Sequence, residues 1–225
     1  MIALDSNGII YAAESQYCYN PTTSYYSQVA KYSEGNGTTG NIVFGETTCG
    51  QGADQICAAG GLFIDRQGGI YYSDSSNHRI LKITPFVSTA AIVAGMNGSS
   101  GSMTNQLNYP GGIYVDTNGT LYVADRGNFR IIMFPSGSST GIVLLVLAFY
   151  HTLSDLIMDK VGNIYFTSYG GVSKFIPSSG FVTQLLTGAY WGIGRIQLDT
   201  DGNLYLSSTS MSNGIAKYSL ISNTC

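Results

Sequence analysis

The chain has 225 residues, of which 44% are hydrophobic and 10% charged. This length and apolar content suit one domain, because no proline-rich or charge-rich linker divides the chain. Ten basic residues stand against 13 acidic ones, so the positive footprint that nucleic-acid binding requires is missing, which argues against an RNA or DNA partner. The most apolar run, residues 142–149, is much shorter than the about 20 residues of a membrane-spanning helix. It predicts a buried or edge strand, and no membrane span.

Five copies of a short pattern, Asp-x-x-Gly-x-(Ile/Leu)-Tyr, recur along the chain. They begin at Asp5, Asp65, Asp116, Asp159 and Asp199, at intervals of 60, 51, 43 and 40 residues. Repeats of this length are typical of solenoids, propellers and arrays of small modules. Each copy lies between two short runs with strand character. Its Gly can supply the positive φ of a tight turn, and its Asp can accept hydrogen bonds from the turn backbone. Each copy therefore predicts a β-hairpin corner.

Further apolar runs follow these hairpins. The predicted third strands are residues 29–32, 80–83, 131–134, 172–175 and 215–218, and the predicted fourth strands are residues 41–44, 91–94, 141–147 and 181–186. Four strands per repeat make one blade of a β-propeller. No stretch shows sustained helical spacing, and the 29 glycines would weaken helices. We therefore predict an all-β propeller with approximate blades at residues 1–61, 62–112, 113–155, 156–195 and 196–225.

The third copy is the most complete. It reads Gln106-Leu-Asn-Tyr-Pro110-Gly-Gly112 before the corner, Asp116-Thr-Asn-Gly119-Thr-Leu-Tyr122 at the corner, and Asp125-Arg-Gly-Asn128-Phe-Arg130-Ile131 after it. This run resembles the consensus of the NHL-repeat β-propeller family almost position for position. The second copy keeps Asn77-His78-Arg79, the core from which the family takes its name, whereas the fourth and fifth have Ser168 and Ser208 in place of the second Asp. The resemblance implies the fold and little about activity, since propellers host many unrelated functions.

The same resemblance implies six blades, whereas five are visible. We therefore expect either a truncated piece of a six-bladed parent or an irregular five-bladed ring. In a truncated piece, the end blades would present unpaired strand edges, which favour edge-mediated self-association.

Cysteines and glycosylation sequons bear on the cellular compartment. Cys49 and Cys57 lie close together in one connection and could form a disulfide, and in a ring Cys225 could approach Cys18. The sequons begin at Asn36, Asn97 and Asn118. Together these features predict an extracellular or secreted protein. The alternative is a cytoplasmic protein with free thiols and chance sequons.

Residue types for catalysis are sparse. Only His78 and His151 are present, so the three-histidine zinc site of the amidating lyase, an enzyme with a related propeller, cannot be built. The run from His151 to Ser154 and Asp155 contains the residue types of a catalytic triad, but adjacency along a strand forms no relay. The acidic corners lack the spacing and the distal Glu of an EF-hand. We predict no enzyme, no catalytic residue, no cofactor and no metal site.

Two arginines allow two interpretations. Arg79 follows Asp74 by five residues, and Arg130 follows Asp125 by five. Each pair could close the connection between the second and third strands with a charge-assisted hydrogen bond. Alternatively, the two guanidinium groups bind a ligand.

The least regular connections are expected on one face of the blades. The repeated Asp-x-x-Gly corners lie on one face, and the second-to-third connections and the interblade connections lie on the other, which we term the loop face. The loop face would carry the connections 46–60 and 96–110 and the insertion 15–28, which contains Tyr17, Tyr19, Tyr25 and Tyr26. Irregular loops on a rigid scaffold often bind partners, and Tyr offers large contact area at modest entropic cost.

The sequence therefore predicts a non-catalytic scaffold that binds a protein, peptide or glycan through these tyrosines, with Arg79 and Arg130 as further binding candidates. Two alternatives stay open. One is a propeller enzyme of lactonase or lyase type with a metal in the central channel. The other is the substrate-recognition propeller of a larger receptor or ubiquitin-ligase protein.

Overall fold

The computed structural model describes residues 1–15, 27–32, 40–45, 49–84, 89–148, 153–168, 171–186, 193–208 and 214–219. Within these ranges the chain forms 19 β-strands and two short 3-10 turns, and no α-helix. The all-β prediction is confirmed. No helix in the described part of the chain has the length and apolar character needed to cross a bilayer. The chain divides into two compact units, Met1–Leu145 and Val146–Cys225.

The first unit contains three four-stranded antiparallel sheets, each with its strands in chain order. The first sheet is β1 (Ile2–Leu4), β2 (Ile10–Ser15), β3 (Ser27–Tyr32) and β4 (Asn41–Phe44). The second is β5 (Ala59–Ile64), β6 (Ile70–Asp74), β7 (Arg79–Ile83) and β8 (Ala91–Gly95). The third is β9 (Pro110–Val115), β10 (Leu121–Asp125), β11 (Arg130–Phe134) and β12 (Ile142–Val146). These sheets have the strand order of propeller blades.

The second unit contains two sheets of the same kind. The fourth sheet is β13 (Leu156–Met158), β14 (Ile164–Ser168), β15 (Gly171–Ile176) and β16 (Phe181–Leu186). The fifth has three described strands, β17 (Ile193–Leu198), β18 (Leu204–Ser208) and β19 (Ile215–Tyr218). Residues 220–225, which follow β19, lie outside the described residues.

Each Asp-x-x-Gly pattern forms the predicted hairpin corner. Asp116 Oδ1 accepts hydrogen bonds from the backbone N–H of Asn118 at 2.9 Å and of Thr120 at 2.8 Å. The other four aspartates accept from the same two positions. The glycine of each corner has a φ between +79° and +91°, which a residue with a Cβ adopts only at a cost.

The core lies between neighbouring sheets within each unit. In the first unit, one cluster joins the first and second sheets and another, which includes Tyr71, Ile80, Val123 and Ile132, joins the second and third. In the second unit, a cluster joins the fourth and fifth sheets. Outer strands are less covered, and the apolar run that begins at Ile142 forms the edge strand β12.

Candidate functional site

Two connections in the first unit are copies of one loop. The first loop, residues 49–57, precedes β5, and the second loop, residues 100–108, precedes β9. The contacts that the arginine, the aspartate and the asparagine of the following turn make with the first loop each have a counterpart 51 residues later in the second. In the first loop Asn77 Nδ2, from the turn between β6 and β7, donates to the Gly50 carbonyl at 2.8 Å. This contact places the interblade connection beside the second-to-third connection, as the loop face requires.

A buried arginine fastens the first loop. Arg79 Nε donates to Asp74 Oδ2 at 3.0 Å. Its Nη1 donates to the Gln51 carbonyl at 3.1 Å, and its Nη2 donates to the carbonyls of Gly52 at 3.2 Å and Gln55 at 2.8 Å. The side chain is only 1% exposed. Its charge is therefore satisfied inside the loop.

Arg130 fastens the second loop in the same way. Its Nε donates to Asp125 Oδ2 at 2.7 Å. Its Nη atoms donate to the carbonyls of Ser102 at 2.6 Å, Met103 at 2.9 Å and Gln106 at 2.8 Å. Both predicted Asp–Arg pairs are thus present, and in each case the guanidinium group also holds three backbone carbonyls.

The two paired aspartates are fully buried. Asp74 also accepts hydrogen bonds from the Cys57 backbone N–H at 3.0 Å and from Asn77 Nδ2 at 2.8 Å. Asp125 accepts the matching bonds from the Asn108 backbone N–H and from Asn128 Nδ2, both at 2.7 Å. Burial raises the pKa of both carboxyl groups, and the hydrogen bonds and the neighbouring arginine oppose that rise. Each carboxylate therefore depends on its arginine for a counter-charge in a site without water contact.

A disulfide closes the first loop only. Cys49 and Cys57 are bonded, with their Cα atoms 4.8 Å apart, as the sequence predicted. The matching positions of the second loop hold Ser100 and Asn108. Cys18 and Cys225 lie outside the described residues.

A histidine positions an exposed tyrosine beside the second loop. His78 Nδ1 accepts a hydrogen bond from the Tyr109 backbone N–H at 3.1 Å, and the two rings meet edge to face at 4.6 Å between centroids. Both residues have positive φ, 57° and 46°, which is uncommon for non-glycine residues. Burial lowers the pKa of His78, against the opposing effect of the Asp125 and Asp74 charges. The ring is therefore neutral near pH 7 and can accept this bond.

This framework presents three large apolar side chains to solvent. Met96 is 44% exposed, Met103 69% and Tyr109 50%. Gln51 and Asp54 of the first loop and Arg126 of the turn after β10 are also exposed. Methionine and aromatic side chains at rigid positions are typical of protein-binding surfaces.

Several predicted site residues lie outside the described residues, namely Tyr17, Tyr19, Tyr25, Tyr26, Asn36 and His151. Of the described sequons, Asn118 lies in an exposed hairpin corner. Asn97 instead belongs to the loop framework, because its Oδ1 accepts from Arg79 Nη1 at 2.8 Å and its Nδ2 donates to the Gln51 carbonyl at 3.0 Å.

The acid of the triad-like run has a structural partner. Asp155 Oδ1 accepts from Arg195 Nη1 at 3.2 Å, and its Oδ2 accepts from the Ile196 backbone N–H at 3.0 Å. Within the described ranges no three His, Cys, Asp or Glu side chains are grouped to hold a metal ion.

The repetition of the loop is a feature that the sequence interpretation missed. A signal was present, because Gly50, Gln55 and Ile56 recur as Gly101, Gln106 and Leu107 at the 51-residue spacing of the second and third corners. Each glutamine turns back into its own loop, where Gln55 Oε1 accepts from the Gly52 N–H at 3.1 Å. Each apolar residue is completely buried.

Comparison with known sequences supports the interpretation of the third repeat. Residues 107–134 match the family model of the NHL repeat. A 94-residue segment is 34% identical to the protein SUPPRESSOR OF QUENCHING 1, chloroplastic, of Arabidopsis thaliana. That segment is 39% of this chain and 9% of the relative, so the chain spans only a small part of that relative's length.

Solved structures match over almost the whole chain. A chain of a nidogen/laminin complex has a TM-score of 0.67 at 15% identity, covering 92% of this chain and 70% of that one. A gluconolactonase from Xanthomonas campestris has a TM-score of 0.70 at 14% identity, and the match covers 92% of this chain and 68% of that one. A catalytically inactive virginiamycin B lyase from Staphylococcus aureus, solved with quinupristin, has a TM-score of 0.62 at 16% identity. The match covers 97% of this chain and 69% of that one. At this level of identity the likeness shows the fold, which enzymes and a component of a protein complex share.

Proposed function

Because this chain is an NHL-repeat β-propeller, we propose that it is a non-catalytic scaffold that binds a protein or peptide through its loop face. The observation that carries the proposal is the pair of copied loops. Each loop is fixed by a buried arginine, and the second carries Met103 and borders Tyr109, both exposed.

Rigidity is what makes these loops suitable for binding. A loop that is already ordered loses little conformational entropy when a partner binds. The arginine contacts order the backbone of both loops from within, so the exposed side chains remain available for a partner. Exposed apolar side chains on such a surface gain free energy when a partner removes them from water.

The tyrosines of the insertion belong to the same proposal. Tyr17, Tyr19, Tyr25 and Tyr26 follow β2 and precede β3, so they occupy a second-to-third connection. The nidogen/laminin complex among the similar structures supports a protein as the partner class. The disulfide supports an extracellular site of action.

Partner capture with matched variants tests the proposal. Immobilised wild-type protein is compared with the double variant Met103→Ser, Tyr109→Ser, with the quadruple variant of the four insertion tyrosines to Ala, and with Val161→Ser. Val161 is 83% exposed in a hairpin corner of the second unit, outside both loops, and serves as the control. We expect each loop variant to bind the captured partner about 30-fold or more weakly than the wild type, as loss of hot-spot residues does. Val161→Ser should leave the affinity for that partner unchanged.

A captured partner that binds all three variants as tightly as the wild type would disprove the loop-face assignment. The lactonase and lyase structures among the matches make one further measurement necessary. Elemental analysis of the purified protein for calcium and zinc tests the metal-enzyme alternative, and a stoichiometric metal would favour it.

A further inference from the structure

A lysine lies over a tyrosine ring in four of the five sheets. The tyrosine ends the Asp-x-x-Gly-x-(Ile/Leu)-Tyr pattern, and the lysine is its partner on the third strand. The pairs, with the distance from Nζ to the ring centroid, are Tyr11–Lys31 at 5.6 Å, Tyr71–Lys82 at 4.8 Å, Tyr165–Lys174 at 5.4 Å and Tyr205–Lys217 at 5.4 Å. In the third sheet, Met133 stands opposite Tyr122.

Two of these pairs line grooves of the same construction, one within each unit. The groove of the first unit has Tyr71 and Lys82 on one side and Leu121 and Phe134 on the other. The groove of the second unit is lined by Tyr165, Lys174, Leu185, Leu186, Leu204 and Tyr218. Each has a volume of about 340 Å³, which lies in the usual range for small-molecule sites.

The lysine of the first-unit groove already has a counter-ion. Lys82 Nζ lies 3.4 Å from Asp65 Oδ2. The fourth residue after this aspartate is Gly69, which has no side chain to compete for the carboxylate. The Asp65 charge therefore offsets that of Lys82.

The corresponding aspartate of the second-unit groove is occupied by other donors. Asp159 Oδ2 accepts from Asn163 Nδ2 at 2.7 Å and from the Tyr165 hydroxyl at 3.3 Å. Asn163 stands at the position that Gly69 holds in the second sheet. Burial, helped by the Asp159 charge, raises the pKa of Tyr165 to about 12, so its hydroxyl stays protonated and donates. Among the described residues, Lys174 Nζ has no carboxylate oxygen within 4.0 Å.

We propose that the groove of the second unit binds a small carboxylate with an apolar body, and that Lys174 anchors its carboxylate group. Lys174 is half-buried and lines the groove together with three leucines and two tyrosines, where solvent screens a charge less than on an open surface. A ligand carboxylate supplies a counter-charge in a charge-assisted hydrogen bond. An aliphatic or aromatic body fills the space between Leu185, Leu186 and Tyr218. This site is separate from the loop face and does not depend on the function proposed for it.

The first-unit groove is a built-in control. If the lysines served only to cover the tyrosine rings, the two grooves would respond alike to a carboxylate. If the unpaired charge matters, only the groove with Lys174 selects a carboxylate over a neutral compound of the same shape.

The test uses 4-phenylbutanoate and its uncharged amide, 4-phenylbutanamide, as probes. Dissociation constants are measured by calorimetry or NMR titration on the full chain, wild type and the variants Lys174→Met, Lys174→Arg and Lys82→Met. We expect the wild type to bind the carboxylate about tenfold more tightly than the amide, which corresponds to one charge-assisted hydrogen bond. Lys174→Met should abolish this preference, whereas Lys174→Arg and Lys82→Met should retain it.

Three results would overturn the proposal: no saturable binding of the carboxylate, equal affinity for acid and amide, or loss of the preference in Lys82→Met as well as in Lys174→Met. Lys174→Arg controls for folding, because it retains the charge at the same place. If Lys174→Met lowers the unfolding temperature while Lys174→Arg binds like the wild type, the charge is still what the ligand needs.

Discussion

The first and second loops share one hydrogen-bond framework and differ in how they are closed. In both, a buried arginine holds an aspartate and three backbone carbonyls. The disulfide is present in the first loop only. Because the second loop has the same arginine-to-carbonyl contacts without the disulfide, the covalent link is not what shapes the loop. It adds resistance to opening, mainly by restricting the unfolded chain.

The loops also differ in what they present. One of the carbonyls that accepts from the arginine Nη2 belongs to Gly52 in the first loop and to Met103 in the second. The side chain of Met103 is 69% exposed. Main-chain carbonyls carry the framework, so the side chain at that position can vary without disturbing it. The framework and the binding surface are thus separate features of the same nine residues.

Removing an arginine should have the largest effect. Arg79→Met or Arg130→Met leaves a buried carboxylate without its counter-charge and three carbonyls without donors. Each should lower the free energy of unfolding by about 3–5 kcal/mol, which denaturant unfolding measures. Because the disulfide still restrains the first loop, hydrogen exchange should rise more in residues 100–108 of Arg130→Met than in residues 49–57 of Arg79→Met.

Lys82→Met is the matched control for charge loss, since its ion pair is one-third exposed at the lysine and should contribute under about 1 kcal/mol. Equal exchange in the two loops of the arginine variants would show that the disulfide does not restrain the first loop in the folded state.

Opening the disulfide should have the next largest effect. The double variant Cys49→Ser, Cys57→Asn gives the first loop the closing residues of the second. It should lower the free energy of unfolding by about 2–3 kcal/mol, as expected for a short closed loop, while leaving the hydrogen bonds of Arg79 in place. Reductant should destabilise the wild type by a similar amount and leave the variant unchanged, as denaturant midpoints with and without reductant would show.

The reciprocal change sharpens the comparison. Ser100→Cys with Asn108→Cys places cysteines at the matching positions of the second loop. If the shared contacts give the two loops the same backbone, the new pair should oxidise without strain and raise the unfolding midpoint. Failure to oxidise would mean that the loops differ in shape despite their shared contacts.

Much of the fold could be predicted because its signals are local. The Asp and Gly of each corner act within five residues, and the Asp74–Arg79 pair spans a single connection. The interiors of the loops could not be derived in this way. Their framework consists of backbone carbonyls, which any residue supplies, so the trace in the sequence was limited to Gly50, Gln55 and Ile56 and their repeats. The surroundings of Lys174 were likewise hidden, because no motif encodes them. No described carboxylate oxygen lies within 4.0 Å of its Nζ, whereas Lys217 lies 4.0 Å from Asp199, which has the same Asn and Tyr donors as Asp159.

The smallest effect should come from acid acting on His78. In the third sheet the same left-handed position holds Phe129, so of these two sheets the second alone has a titratable group there. The folded-state pKa of His78 lies below its ordinary value of 6.5. Its contribution to stability is therefore complete above about pH 6.5 and decreases as the pH falls below that value, where the unfolded chain takes up the proton first.

Protonation would add a hydrogen to His78 Nδ1, the atom that now accepts from the Tyr109 N–H. The hydrogen bond that helps to hold Tyr109 at positive φ would then be lost. Between pH 7 and pH 5, hydrogen exchange at Tyr109, after correction for its intrinsic pH dependence, should therefore rise in the wild type. The charges of Asp125 and Asp74, which favour the protonated ring, keep this effect small. His78→Asn tolerates positive φ and does not titrate, so it should show no acid-dependent change. An acid response that persists in His78→Asn would place the titrating group elsewhere and leave Tyr109 positioned by the loop alone.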